Sequence, residues 1–251
     1  MIENQNGKRI LLLGVYGMEL VECGGALLKN AKSGGVSHAS MLFCGEQMRK
    51  DLAKSAEILQ TTVEYLNMDS GAVTGSREER LKIAMVIRKF KPDIIITQDP
   101  EHCVSDLDPG RRPVMNMILE GIALAGRNYA VEECGGYPPH GHASIYYMSP
   151  ANPNCLIDIF DVWDEKCAAM DCLESQLEFC GRLYDRTDRE QMKKIVPEWD
   201  SLTTPLEKGT AAKRVFDKAY YMYHGSTGHY DVVFSEAYRR EGCFIFDYLP
   251  R

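Results

Sequence analysis

The amino-acid sequence predicts a single Rossmann-like α/β domain over residues 1–251, with a mostly parallel sheet and helices on both of its faces. Three observations lead there. Short apolar runs alternate with helical patterns of ten or more residues, the signature of βαβ units. Two of the runs, Arg9–Val15 (RILLLGV) and Asp93–Thr97 (DIIIT), are apolar on both faces, as strands in the middle of a parallel sheet are. A chain of 251 residues that is 45% hydrophobic can bury one large core and sits near the upper end of one α/β domain.

Arg9–Val15 is read as strand one, and Glu19–Lys32 as a helix with Leu20, Cys23, Leu27 and Leu28 at helical spacing and Ser33-Gly34-Gly35 as its stop. His38–Cys44 reads as strand two, Arg49–Gln60 as a helix with Leu52, Ala56 and Leu59 on one side, and Thr62–Met68 as strand three. Arg77–Phe90 is amphipathic and stops before Pro92, which discourages helix in the residue ahead of it. Asp93–Thr97 follows as the clearest buried strand. Val114–Ala125 is read as a helix, residues 135–141 as a Gly/Pro loop, Ser144–Ser149 and Leu156–Ile159 as short strands, and Val162–Cys180 as one long helix. Asp185–Leu206 is charged and weakly periodic, Glu207–Tyr223 is helical, and the tail is aromatic.

Charge and composition narrow the function. With 29 basic and 36 acidic residues the net charge is −7, which repels phosphate polymers and argues against nucleic acid as a partner. No apolar run approaches the roughly 20 residues that cross a bilayer, and the opening MIENQNGKR carries no cleavable apolar segment, so no membrane contact and a cytoplasmic location are expected. The nine cysteines are scattered without a C-x-x-C pair, which suits reduced thiols better than disulfides or a structural zinc site.

In open parallel sheets ligands bind beyond the carboxyl ends of the strands, where strand order reverses. This selects three loops: Gly14–Glu22, Gly45–Met48 and Gln98–Pro113. The segments that frame them resemble the LmbE/PIG-L superfamily of zinc-dependent de-N-acetylases. LLLGVYGMELVECGGALL has the length and framing of that family's first motif, in which a strand runs into A-H-P-D-D-E and a Gly-Gly pair follows. KPDIIITQDPE is similar to the strand before the second motif, H-P-D-H. The stretch from Ser144 to Gln176 is similar to the closing strands and helix, and FSEAYR (Phe234–Arg239) to the terminal Y-A-E-A-F-R. Leu107-Asp108-Pro109, the run CAAMDCLESQ and KGTAAKR also resemble the oxalomesaconate hydratase branch.

The resemblance implies a zinc ion whose bound water attacks an amide carbonyl, held by a histidine and an aspartate of the first motif and a histidine of the second. Counting back from Gly24-Gly25 puts the metal histidine on Val15, the general base on Gly17 and the metal aspartate on Met18. Valine and glycine offer no donor, and a thioether is a poor zinc ligand beside oxygen and nitrogen. The acidic end of the motif survives as Glu19. In the second motif either Pro109 or Asp108 takes the ligand position, and neither is histidine. Asp108 and His102 are the only candidates for binding a divalent cation, and no cofactor is expected unless the site has been rebuilt around zinc or another such ion.

The candidate site therefore consists of Glu19 and Asp108 as acid–base residues, with Val15, Tyr16, Gly17, Met18, His102, Asp106, Arg111 and Arg112 around a ligand pocket. Arg111 and Arg112 follow Gly110 near a helix start, where guanidinium and backbone N–H groups together favour an anion, or they form a solvated helix end. His140-x-His142, His224 and His229 are alternative ligands, or loop histidines without a role. Gly14-x-x-Gly17 lacks the full dinucleotide fingerprint. Three readings follow: a pseudoenzyme kept for binding or assembly, an active hydrolase or hydratase with a rebuilt metal site acting on a small carboxylate or amide, and a metal-free lyase or isomerase using Glu19 or Asp108 as base. The short Gly45–Met48 loop and the aromatics Tyr220, Tyr221, Tyr223, Tyr230, Tyr238, Phe244, Phe246 and Tyr248 suggest an oligomer, with itself or with an intact relative.

Overall fold

The computed structural model describes residues 7–141, 143–228 and 231–244. In chain order its elements are β1 (Arg9–Gly14), α1 (Glu19–Glu22), α2 (Gly24–Lys32), β2 (Val36–Met41), α3 (Glu46–Ile58), β3 (Thr61–Tyr65), α4 (Arg77–Phe90), β4 (Ile94–Gln98), α5 (Pro100–Ser105), α6 (Arg111–Ala125), β5 (Ser144–Met148), β6 (Cys155–Asp158), α7 (Trp163–Asp171), α8 (Glu174–Thr187), α9 (Arg189–Ile195), α10 (Pro205–Tyr223) and β7 (Ser235–Arg240).

The strands form one sheet of order β3-β2-β1-β4-β5-β7-β6. The first five run parallel, and β7 lies antiparallel between β5 and β6. β1 and β4 are neighbours in the register Ile10–Ile94, Leu11–Ile95 and Leu12–Ile96, as their two-sided apolar character predicts. Alternation of side chains along β1 feeds two cores. Ile10 and Leu12 join α2 and α7 residues such as Leu27 and Ala169 on one face. Leu11, Leu13 and Val15 join Ile83, Ile87 and Ile118 of α4 and α6 on the other. Leu11, Leu12 and Leu13 are fully buried, each contributing roughly 1.5–3 kcal/mol. The chain leaves β1 for β2 and β3 on one side and returns to β4 on the other, so the reversal of order falls between β1 and β4.

Several elements depart from the sequence expectation. The helix expected over Glu19–Lys32 is two helices broken at Cys23. Lys166 donates to the carbonyls of Val21 (2.5 Å) and Glu22 (2.7 Å), while Glu236 accepts from the amides of Gly25 (2.7 Å) and Ala26 (2.9 Å). Each half therefore has its loose backbone groups satisfied from outside. The long helix over Val162–Cys180 likewise splits, and the buried Asp51 accepts from the Ser175 amide at the start of α8. Gly45–Met48 is not a loop: Gly45 is the N-cap of α3 and the helix begins at Glu46. The Gln98–Pro113 loop contains α5, capped by Asp99 with Pro100 in its first turn. FSEAYR contributes β7. Among the described residues no helix is long and apolar enough to cross a membrane, and the nine cysteines are unpaired. His142, His229, Tyr230, Phe246 and Tyr248 lie outside the described residues.

Candidate active site

Two supports position the loops beyond β1 and β4, and both come from β7. Glu236, 2% exposed, binds the α2 amides, accepts from the Tyr238 hydroxyl (2.7 Å) and pairs with the Lys166 ammonium (2.6 Å). Gly25 is required there. A β-carbon at this position would stand 2.4 Å from Ile159 Cγ2 and 2.7 Å from Glu236 Oε1. Three residues along, Arg239 clamps the buried Asp99 through Nε (3.0 Å) and Nη2 (2.7 Å), a bidentate contact that holds the start of α5.

The first-motif loop turns its donors inward. Val15 is 1% exposed and packs in the core with Leu13 and Phe43. Gly17 is pressed against Met48 of α3: a β-carbon would fall 2.5 Å from the sulfur. The Met18 side chain packs against the core. Glu19 is buried; its carboxylate accepts from the Tyr16 amide (3.1 and 3.2 Å) and from Gln98 Nε2 (2.7 Å) at the end of β4. Gln98 Oε1 meets the Cys103 thiol at 3.6 Å, and burial pushes that thiol up to about 11.

The second-motif loop meets the first through Tyr16 and Arg111. The Tyr16 hydroxyl donates to Asp108 Oδ2 at 2.7 Å, and Asp108 Oδ1 accepts from the Gly110 amide at 2.8 Å. The Tyr16 hydrogen bond is the main reason the Asp108 carboxyl lies below its ordinary range, while burial and that same bond push Tyr16 up to about 12. A carboxyl held low is a weak proton acceptor. Asp108 thus ties the two loops together through Tyr16 and Gly110. Asp106 accepts from the Asp108 amide (2.8 Å), and its second oxygen faces His102 Nε2 (3.5 Å) and Arg111 Nε (3.1 Å). Arg111 also reaches Glu19 (3.8 Å) and Asp108 (3.9 Å) and covers the Tyr16 ring at 5.2 Å. Arg112 donates to the Asp106 carbonyl at 2.5 Å. The anion that Arg111 meets is the chain's own set of carboxylates.

Next to this cluster lies a cavity of about 460 Å³, lined among others by Glu22, His102, Ser149, Lys213, Asp217 and Tyr220. His102 is shared between the two, facing Asp106 on one side and the cavity on the other. Lys213 and Asp217 of α10 pair at 2.6 Å. Burial, with the charge of Glu19 second, pushes the Glu22 carboxyl up to about 7. Burial lowers His224, which favours the neutral ring. Of these residues sequence reasoning singled out only His102, His224 and, in the aromatic cluster, Tyr220. Glu22 sits one turn after Glu19 on the same helix face, a spacing that could have found it. Lys213 and Asp217 belong to a helix far along the chain, and only the fold brings them here.

The residues do not fit the metal centre that the first-motif resemblance implies. Val15, Gly17 and Met18 supply no suitable donor, and a guanidinium stands among the acids that remain. Among the described residues no three His, Cys, Asp or Glu side chains are gathered to hold a metal ion.

No known family's profile matches the chain. In sequence it is similar to 4-oxalmesaconate hydratase of Pseudomonas putida, 24% identical over 204 residues, spanning 69% of this chain and 76% of that protein. It is also similar to diacetylchitobiose deacetylase of Thermococcus kodakarensis, 30% identical over 126 residues, spanning 49% of this chain and 47% of that protein. In fold it is similar to GalB, the 4-carboxy-2-hydroxymuconate hydratase of Pseudomonas putida, with a TM-score of 0.64 at 19% identity over 97% of this chain and 100% of that one. The N,N'-diacetylchitobiose deacetylase of Pyrococcus horikoshii gives 0.68 at 19% identity over 94% of this chain and 84% of that one.

Proposed function

We propose that this chain, whose sequence relatives and fold are those of the LmbE/PIG-L superfamily, is a non-hydrolytic member that binds a small polar molecule without a family-type metal. One observation carries the reading. The frame that positions the first motif, with Gly25, Glu236 and Lys166, is closely packed and fully bonded, while the three positions that would do zinc chemistry hold Val15, Gly17 and Met18. Drift in an unused fold would be expected to loosen the frame as readily as the centre. A cavity of about 460 Å³ falls in the ordinary range for small-molecule sites. Its Lys213–Asp217 pair, Glu22 and the aromatic face of Tyr220 suit a polar molecule with an apolar side, of monosaccharide or dicarboxylic acid size.

The test is a thermal-shift screen of N-acetylated sugars and small di- and tricarboxylates, run beside an acetate-release assay with and without added zinc. A bound ligand at about a hundred times its Kd should stabilise by roughly 2.7 kcal/mol, raising Tm by roughly 5–10 °C for a chain of this size, with no acetate released. Zinc-dependent acetate release that a chelator abolishes would overturn the reading.

A second reading has its own observation. A cavity-wall carboxyl pushed up to about 7, as Glu22 is, can both take and give a proton near neutral pH. That is what metal-free addition or elimination of water needs. Turnover of a 4-carboxy-2-hydroxymuconate-type substrate in chelator, lost in Glu22→Gln with binding retained, would favour this reading over the first. Absence of turnover would remove it.

A further inference from the structure

We infer that the guanidinium of Arg111 is the built-in cation of this site, holding apart loop carboxylates that without it are free to close on a divalent ion. The inference deepens the reading above and rests on it only in that the site is not a zinc centre. Three acidic side chains from two loops converge on this one group: Asp106 at 3.1 Å, Glu19 at 3.8 Å and Asp108 at 3.9 Å. His102 is the other basic side chain facing them, 3.5 Å from Asp106, and it is more than half exposed. Tyr16 fixes the arrangement from below, its ring under the guanidinium and its hydroxyl on Asp108. The Arg111 side chain is itself only 24% exposed.

Converging carboxylates repel one another unless a cation sits among them. A guanidinium serves at every accessible pH, because it does not lose its proton. Its planar fork also fixes direction: the Nε edge is turned to Asp106 and Asp108, and Nη1 to Glu19. What it cannot do is supply a metal-bound hydroxide. Arg111 therefore keeps the loops assembled without a metal, while the hydrolytic donors are missing separately at Val15, Gly17 and Met18. Arg111 also disfavours divalent ions, since the guanidinium occupies the space between the carboxylates and offsets part of the charge that would attract one.

The experiment compares the full-length wild-type chain with Arg111→Ala and with Arg111→Met, which keeps more of the side-chain volume. Manganese binding is followed by electron paramagnetic resonance, and thermal unfolding is recorded in chelator and in manganese. Wild type should bind manganese no more tightly than about 1 mM, and either variant should tighten this by roughly tenfold or more, because carboxylate count sets affinity for hard cations. The variants should unfold several degrees below wild type in chelator and recover in manganese, while wild type responds to neither. Asp108→Asn placed on Arg111→Ala should cancel the gain, which locates it. A wild type free of metal together with variants that gain no affinity and show no manganese rescue overturns this inference and leaves the proposed function standing. Tight metal binding by wild type itself overturns both.

Discussion

Replacing Glu236 by glutamine changes one atom and should cost about 4 kcal/mol, within the range for breaking a buried ion pair. The Glu236 carboxylate is 2% exposed and accepts from the Gly25 amide, the Ala26 amide, the Tyr238 hydroxyl and the Lys166 ammonium, all between 2.6 and 2.9 Å. An amide NH2 in place of one oxygen points a donor at a donor, whichever way the group is turned. It also leaves the buried Lys166 without its paired carboxylate, beside the Val21 and Glu22 carbonyls, the Tyr221 ring and an uncharged amide. Lys166→Met should cost less, about 2–3 kcal/mol, because the carboxylate it abandons keeps two helix N-terminal amides and a hydroxyl. Urea unfolding of both single variants and the double variant measures the terms. A coupling of at least about 1 kcal/mol is expected, and Glu236→Gln should lower Tm by roughly 10 °C. A loss under about 1 kcal/mol for Glu236→Gln, or strict additivity with Lys166→Met, would refute the claim that this pair holds the first-motif loop.

Gly25→Ala should destabilise by about 2 kcal/mol, since its β-carbon would press on Ile159 and the Glu236 oxygen; unchanged urea unfolding would contradict the close approach. Glu22 gives a pH signature. Its folded-state pKa, near 7 against an ordinary 4.5, is raised, so its contribution is fully present below about 4.5 and is lost as pH climbs through about 7. Glu22→Gln should therefore match wild type near pH 4.5 and exceed it at pH 8, by about 1–2 kcal/mol once solvent at the cavity wall is allowed for; a difference that does not change with pH would count against the raised carboxyl. We further propose that the chain assembles with itself or with an intact relative through the pocket rim or the β7 end. Light scattering should then exceed the 28.3 kDa of one chain, and a monomer at high concentration with no partner on co-purification would remove the idea.

The centre of the sheet was readable because β1 and β4 are apolar on both faces, a local property that only a buried parallel strand explains. Helix breaks were not. Leu20, Cys23, Leu27 and Leu28 keep helical spacing straight through the break at Cys23, because what divides the helix is a Lys166–Glu236 pair supplied from more than 140 residues away. β7 was equally hidden: its strand character comes from lying between β5 and β6. The α5 cap was legible in principle, since Asp99-Pro100 is a helix-start signature. In the site, the missing donors at Val15, Gly17 and Met18 could be read by counting alone. That Arg111 would gather the chain's own acids from two loops could not, because Glu19 lies 92 residues before it and only the fold brings it there, while Asp108 is a local partner three residues back.

Metal content of the purified chain tests the central claim most directly. After dialysis against a weak chelator, elemental analysis should find far less than one zinc per chain, and restoring zinc should leave thermal unfolding unchanged. One tightly held zinc per chain at the loops beyond β1 and β4, lost on mutation of Asp108, would contradict it.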